Sequence, residues 1–252
     1  MLDRIMFIEV QLLSGFTKPL TYKIPAHLPS VTRGTIVKVP VRTTTVAAIV
    51  IREISTLINE TFIIKEILSI EAFPEDTYYI DFIHALAKHH AIDPIHFIAR
   101  IRSFIGQKPS DTSVLDISRS IEPSKNPVLT KEQETVTTYI EQKISEQLYA
   151  PTLLHGVTGS GKTEVYKRII QHAYALGKTT LFLLPEVTLA TQFEKILSNQ
   201  LPHIPMLAFH SASSPTTKKL LWQSLEEKKP LLIIGVHLPI LLPINNLGVI
   251  II

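Results

Sequence analysis

The chain has 252 residues, 45% of them hydrophobic and 19% charged, with a formal net charge of +3. That length buries a good core in one or two domains, and the composition is that of a globular chain rather than a disordered one. Cysteine is absent, which excludes disulfides, thiolate zinc sites and cysteine nucleophiles within these residues, while the mild basic balance permits a nucleic-acid partner without requiring one.

The first apolar stretch carries Asp3 and Glu9 and lacks a small-residue cleavage pattern, so it does not read as a signal peptide, and the expected location is cytoplasmic. Residues 1 to about 72 read as β-rich. Apolar stretches at Ile5–Leu13, Thr35–Val39, Val46–Ile51 and Phe62–Ile70 are separated by turn-formers at Ser14-Gly15, Pro25, Pro29-Ser30 and Arg33-Gly34. A helix is predicted from Pro74 to about His90, with Tyr78, Phe82, Ala85, Leu86 and His89 on one face, and a second over Ile95–Ile105. His84, His89, His90 and His96 lack a zinc-helix spacing and read as surface or core histidines. Lys108 to Asn126, rich in Ser, Asp, Lys and Pro, reads as a linker. The domain assignment is therefore 1–105, a linker over 106–128, and 129–252.

Beyond the linker, predicted helices alternate with short apolar strands. A helix over Lys131–Gln147 takes Thr130 as N-cap. Thr152–His155 reads as a short buried strand, and a helix runs from Glu164 towards Gly177 as its C-cap. Strands follow at Thr180–Leu184 and Pro205–Phe209, with helices at Leu189–Ser198 and Lys218–Glu227. Leu231 to Ile252 is long enough to span a membrane and has no formal charge. Pro239 and Pro243 interrupt it, however, so Leu231–Ile234 and Val249–Ile252 read as two buried parallel strands. The fold class is an α/β P-loop lobe with a parallel sheet, preceded by a small β-rich domain.

Between the predicted strand and helix lies Gly156-Val157-Thr158-Gly159-Ser160-Gly161-Lys162-Thr163, the G-x-x-x-x-G-K-[ST] pattern of a phosphate-binding loop. Glycines let the backbone N–H groups approach phosphate oxygens that side chains would obstruct. Lys162 then reaches the outer phosphates, the Thr163 hydroxyl is placed to ligate Mg²⁺, and the helix contributes its positive N-terminal end. The expected cofactor is Mg²⁺-ATP, with Lys162 and Thr163 as the catalytic pair. A complete NTPase site also needs an acid at the end of another apolar strand. Leu181–Leu184 is followed by Pro185 before Glu186, Leu231–Ile234 by Gly235, and Val249–Ile252 ends the sequence. The expectation is binding without hydrolysis.

Residues 129–252 resemble the first motor lobe of the PriA family (primosomal protein N′) of superfamily-two DNA helicases. Leu129-Thr130-Lys131-Glu132-Gln133 is similar to that family's glutamine motif, and His155 to Tyr166 to its extended Walker A segment. Leu184 to Gln192, His210-Ser211 with Trp222, and Asn246 to Ile252 resemble three further blocks in order. More weakly, Leu20 to Pro25 and Arg33 to Pro40 resemble the family's 3′-end DNA-binding domain. The resemblance implies a RecA-like motor lobe, ATP-dependent 3′–5′ helicase activity in replication restart, and forked and single-stranded DNA as partners. Primosome and single-strand-binding proteins are implied as further partners. It implies DNA contacts at Tyr22, Gly34, Glu186, Gln192, His210 and Ser211. For Glu186 and Gln192 the alternative is capping of the helix after Pro185. Gln133 either reads adenine through its donor and acceptor or is a solvated helix glutamine.

The chain also departs from the family pattern. Leu20 and Thr21 stand where the family carries an aromatic and an acid, so 3′-end selectivity is expected to be poor. Gly235-Val236-His237 replaces a glycine-threonine-arginine turn. The winged-helix domain implied between the two domains does not fit into residues 106–128. The family's zinc-binding cysteines and second motor lobe would belong to sequence beyond Ile252. Three functional readings follow: part of a motor, a nucleotide- and DNA-binding module without motor action, or another P-loop enzyme such as a kinase. The glutamine motif and the ordered blocks weigh against the kinase.

Overall fold

The computed structural model describes residues 7–14, 18–54, 63–71, 73, 74, 76, 78–105, 127–210 and 213–252. The chain divides into two compact units, residues 1–103 and 104–252. The expected linker over 108–126 lies outside the described residues.

In the first unit, alternation sets the strands. On β1 (Phe7–Leu12), Ile8, Val10 and Leu12 are buried while their neighbours are half-exposed, the period-two pattern of a sheet with one covered face. With β2 (Leu20–Lys23), β3 (Ile36–Val41), β4 (Thr44–Ile54) and β5 (Ser69–Glu71) it forms an antiparallel sheet in the order β2-β1-β4-β3-β5. The two outer strands are joined by the segment leading into β5. Lys23 donates its N–H to the Lys65 carbonyl at 3.0 Å, Ile67 donates to the Lys23 carbonyl at 3.0 Å, and β5 continues along β3. The sheet thus closes into a small barrel without the free edges that invite aggregation. The strand predicted over Phe62–Ile70 serves this closure, so only Ser69–Glu71 pairs as a regular strand and Phe62 lies outside the described residues.

Helices α1 (Tyr79–His90) and α2 (Pro94–Ile105) follow. Helix α1 begins five residues later than Pro74. Arg102 of α2 forks onto both Glu71 carboxylate oxygens at 2.6 and 2.7 Å, tying the helix to β5.

The second unit contains α3 (Lys131–Ser145), α4 (Lys162–Ala175), β6 (Thr179–Leu183), α5 (Val187–Gln200), β7 (Met206–Phe209), α6 (Pro215–Glu226), β8 (Leu232–Gly235), a 3₁₀ turn (Leu238–Leu241) and β9 (Leu247–Ile251). The strands pair in parallel in the order β7-β8-β6-β9. Every residue of β6 and β8 is buried, as expected of strands covered on both faces. The uncharged stretch from Leu231 contributes two of these strands, and among the described residues no helix is long and apolar enough to cross a membrane. Helix α6 starts at Pro215 rather than Lys218, because the Ser214 hydroxyl caps it by accepting the Thr217 N–H at 3.1 Å. Asn246 ties three chain turns together. Its Oδ1 accepts from the Thr179 hydroxyl at 2.9 Å, and its amide nitrogen donates to the carbonyls of Gly177 and Lys228 at 3.3 and 3.1 Å.

One sequence expectation is corrected. Thr152–His155 is not a strand, and Pro151–Val157 has no regular structure and no ladder partner. Its two leucines divide the work. Leu154 packs against Ile144, Val165 and Ile169, between α3 and α4, whereas Leu153 is 91% exposed. Apolar character that reads as strand pairing is used for packing under two helices.

Candidate nucleotide site and its neighbours

The loop from Gly156 to Gly161 feeds directly into α4, whose first residue is Lys162 and second Thr163. Gly159 and Gly161 adopt φ values of +81° and +78°, the left-handed region that penalises a side chain. A Cβ on Gly156 would lie 2.6 Å from the Ser160 hydroxyl oxygen, so a side chain there would have to turn that hydroxyl aside. The Lys162 ammonium donates to the carbonyls of Gly156 and Val157 at 2.7 and 3.0 Å, which curls it over the loop instead of out to solvent. Below it, buried Lys167 pairs with the Glu164 carboxylate one helical turn earlier.

Gln133 reaches this loop from α3. Thr130 and Gln133 form a reciprocal capping box, in which the Thr130 hydroxyl accepts the Gln133 N–H at 3.3 Å and Gln133 Oε1 accepts the Thr130 N–H at 2.9 Å. Gln133 Nε2 donates to the Ser160 carbonyl at 2.9 Å. The amide keeps one N–H and one acceptor lone pair free of these bonds. Next to Gln133, the Glu132 carboxyl is held below its ordinary range by its own backbone N–H at the helix start and by the Thr130 hydroxyl.

Parallel topology relates two of the remaining candidates. The segments after β6 and β7 carry Glu186 and His210, so both lie at the carboxyl edge of one sheet, where α/β folds place ligands. Glu186 occupies the N-cap position of α5, but its side chain makes no capping hydrogen bond and is exposed. Gln192 is exposed within the same helix and caps nothing. The His210 backbone N–H donates to the Ser213 hydroxyl at 2.9 Å, and that hydroxyl donates on to the Ala208 carbonyl at 2.8 Å. His210 Nδ1 is buried without a hydrogen-bond partner. On α5, burial raises the Glu194 carboxyl pKa, an effect partly offset by His210. Nothing in the sequence singles out Glu194, which reads as one more polar helix residue. Ser211 lies outside the described residues.

The two candidates of the first unit sit differently. Tyr22 is buried in the barrel and donates its hydroxyl to the Pro40 carbonyl at 3.1 Å, and burial raises its pKa. Gly34 has φ +91°, and a Cβ there would lie 2.9 Å from the Ile80 side chain. It marks where the barrel backbone meets α1, with Arg33 and Asp81 paired alongside at 3.2 Å. Among the described residues, no cluster of three His, Asp or Glu side chains is placed to hold a metal ion.

Comparison with known proteins agrees with this two-part organisation. Residues 8–101 match the family model described as a 3′ DNA-binding domain, and residues 126–229 match that of the type III restriction enzyme res subunit, a helicase-type domain. Replication restart protein PriA from Helicobacter pylori is 28% identical over 243 residues, covering 95% of this chain and 35% of that protein. The chain resembles PriA over both of its units. PriA from Bacillus subtilis is 35% identical over 124 residues, which cover 49% of this chain and 15% of that protein. PriA from Rickettsia prowazekii is 31% identical over 150 residues, or 56% of this chain and 23% of that protein. Aligned regions thus account for between 15% and 35% of the length of these PriA relatives.

Proposed function

We propose that this chain is the DNA-recognising and nucleotide-binding front of a replication-restart helicase. Residues 129–252 bind Mg²⁺-ATP and residues 1–105 bind forked or single-stranded DNA. One observation carries the nucleotide reading. A glycine loop with two left-handed residues runs straight into the first turn of α4, with the Lys162 ammonium folded over it. Such a loop offers backbone N–H groups, a helix N-terminus and a cation to one polyphosphate. The residues fit the group: Lys162 would take the outer phosphates and Thr163 one Mg²⁺ position. Bound Mg²⁺ would supply charge neutralisation between the phosphates.

On the DNA side, phosphate contacts supply most of the affinity, which makes it salt-sensitive. Glu186, Gln192 and His210 are the lobe's candidates to face the strand, with Tyr22 and Gly34 shaping the barrel's contribution. By family analogy the whole protein is a 3′–5′ helicase working in the cytoplasm with primosome and single-strand-binding proteins. Titration calorimetry with Mg²⁺-ATP tests the central part. The wild type should bind and Lys162→Ala should not; equal affinity in both would remove the assignment.

A further inference from the structure

In the sequence Gln133 reads as an adenine contact or as a solvated helix glutamine, and its hydrogen bonds give it a further role. Both ends of its amide are engaged at once, Oε1 with the Thr130 N–H at 2.9 Å and Nε2 with the Ser160 carbonyl at 2.9 Å. The second bond grips the phosphate loop at the residue before its last glycine. The loop is shaped to receive it, since a Cβ on Gly161 would lie 2.4 Å from Gln133 Nε2. Gly161 is therefore glycine for two reasons, its φ of +78° and the amide lying across it. The Thr130 hydroxyl separately accepts the Gln133 backbone N–H at 3.3 Å, a bond that caps α3 and takes no part in the amide's hold on Ser160.

We propose that Gln133 is a positioning residue for the phosphate loop, a strut from the N-terminus of α3 that fixes the Ser160–Gly161 peptide in polyphosphate-binding geometry whatever base the ligand carries. The inference rests on the nucleotide reading above and deepens it. The amide holds Ser160 by its carbonyl, which orients the following Gly161 N–H within the same peptide plane. A preorganised N–H needs no reorganisation when a phosphate oxygen arrives. Losing the strut should weaken polyphosphate binding by roughly 3- to 10-fold, the range of one net hydrogen bond.

The experiment measures the affinity of the full chain, with Mg²⁺, for ATP, GTP and inorganic tripolyphosphate. The proteins are the wild type, Gln133→Ala, Thr130→Ala and Lys162→Ala. Thr130→Ala removes only the hydroxyl that caps α3; its backbone N–H and the bond from Gln133 to Ser160 remain. Gln133→Ala should weaken all three ligands by a similar factor, including the one without a base, while Thr130→Ala should change them little. Amide hydrogen exchange without ligand should also quicken at Gly161 in Gln133→Ala and not in Thr130→Ala. A loss confined to ATP would make Gln133 a base reader and overturn the proposal. Equal losses in the two variants would reduce it to a helix cap, and no loss at all would also overturn it. If the wild type binds none of the ligands and matches Lys162→Ala, the nucleotide reading itself falls and takes this inference with it.

Discussion

Two glycines of the phosphate loop share a backbone conformation but not a neighbourhood, which allows the strut to be weighed. Gly159 has φ +81°, and a Cβ added there would meet nothing within 4 Å; at Gly161, φ +78°, the same atom would meet Gln133 Nε2 at 2.4 Å. Alanine at either position incurs the left-handed penalty of about 1–2 kcal/mol, offset by about 0.4–1 kcal/mol from the stiffer unfolded chain. Gly159→Ala should therefore cost roughly 1 kcal/mol or less on this balance. Gly161→Ala must in addition push the amide off the Ser160 carbonyl, a further loss of about 0.5–1.5 kcal/mol. Urea unfolding followed by Trp222, the single tryptophan in the sequence and located on α6, reports on the second unit. The excess cost of Gly161→Ala should vanish in a Gln133→Ala background, where no amide remains to be displaced. Equal costs for the two glycines, or an excess that survives the Gln133→Ala background, would refute the reasoning.

Further expectations follow from single contacts. Gly235→Ala places a Cβ 2.3 Å from the Phe209 carbonyl oxygen and 2.3 Å from a Pro239 ring carbon in the buried sheet. It should destabilise the unit by about 3 kcal/mol, as overpacking against backbone does, read as a lowered urea midpoint. For Glu194, burial raises the folded pKa above the unfolded value. The folded state then holds the proton more tightly, so stability falls as pH rises from the ordinary carboxylate range through the raised folded pKa. Glu194→Gln should be more stable than wild type above that window and lose its advantage below it; a pH-independent difference would contradict the assignment. The 252 residues should release phosphate from ATP near background even with single-stranded DNA, because neither β6 nor β8 is followed directly by an acid. Each missing electrostatic element costs about 10²–10³ in rate. DNA-stimulated release that Lys162→Ala abolishes would show the site to be complete.

Much of this was legible in the residues because local chemistry forces it. The glycine spacing from 156 to 161 serves one loop geometry, Thr130 marks the N-cap of α3, and Gly177 takes the left-handed position after α4 at φ +70°. The apolar runs at 231 and 249 could be read as parallel strands because prolines broke the alternative. What stayed hidden is long-range. Barrel closure depends on a backbone exchange between Lys23 and residues 65–67, which no periodicity reveals. Leu153 and Leu154 carry the composition of a strand, yet only one of them is packed. The partner of Gln133 is a carbonyl 27 residues away, and a backbone acceptor leaves no mark in the sequence. Glu194 and the buried nitrogen of His210 likewise become notable only once α5 packs beside β7.

The central claim is that residues 156–163, with Lys162, form the nucleotide site, and hydrogen–deuterium exchange with and without Mg²⁺-ATP locates that site directly. In the wild type, protection should concentrate on the amides from Val157 to Glu164, and in Lys162→Ala it should disappear. Protection elsewhere in the chain, or an unchanged pattern in Lys162→Ala, would contradict the account.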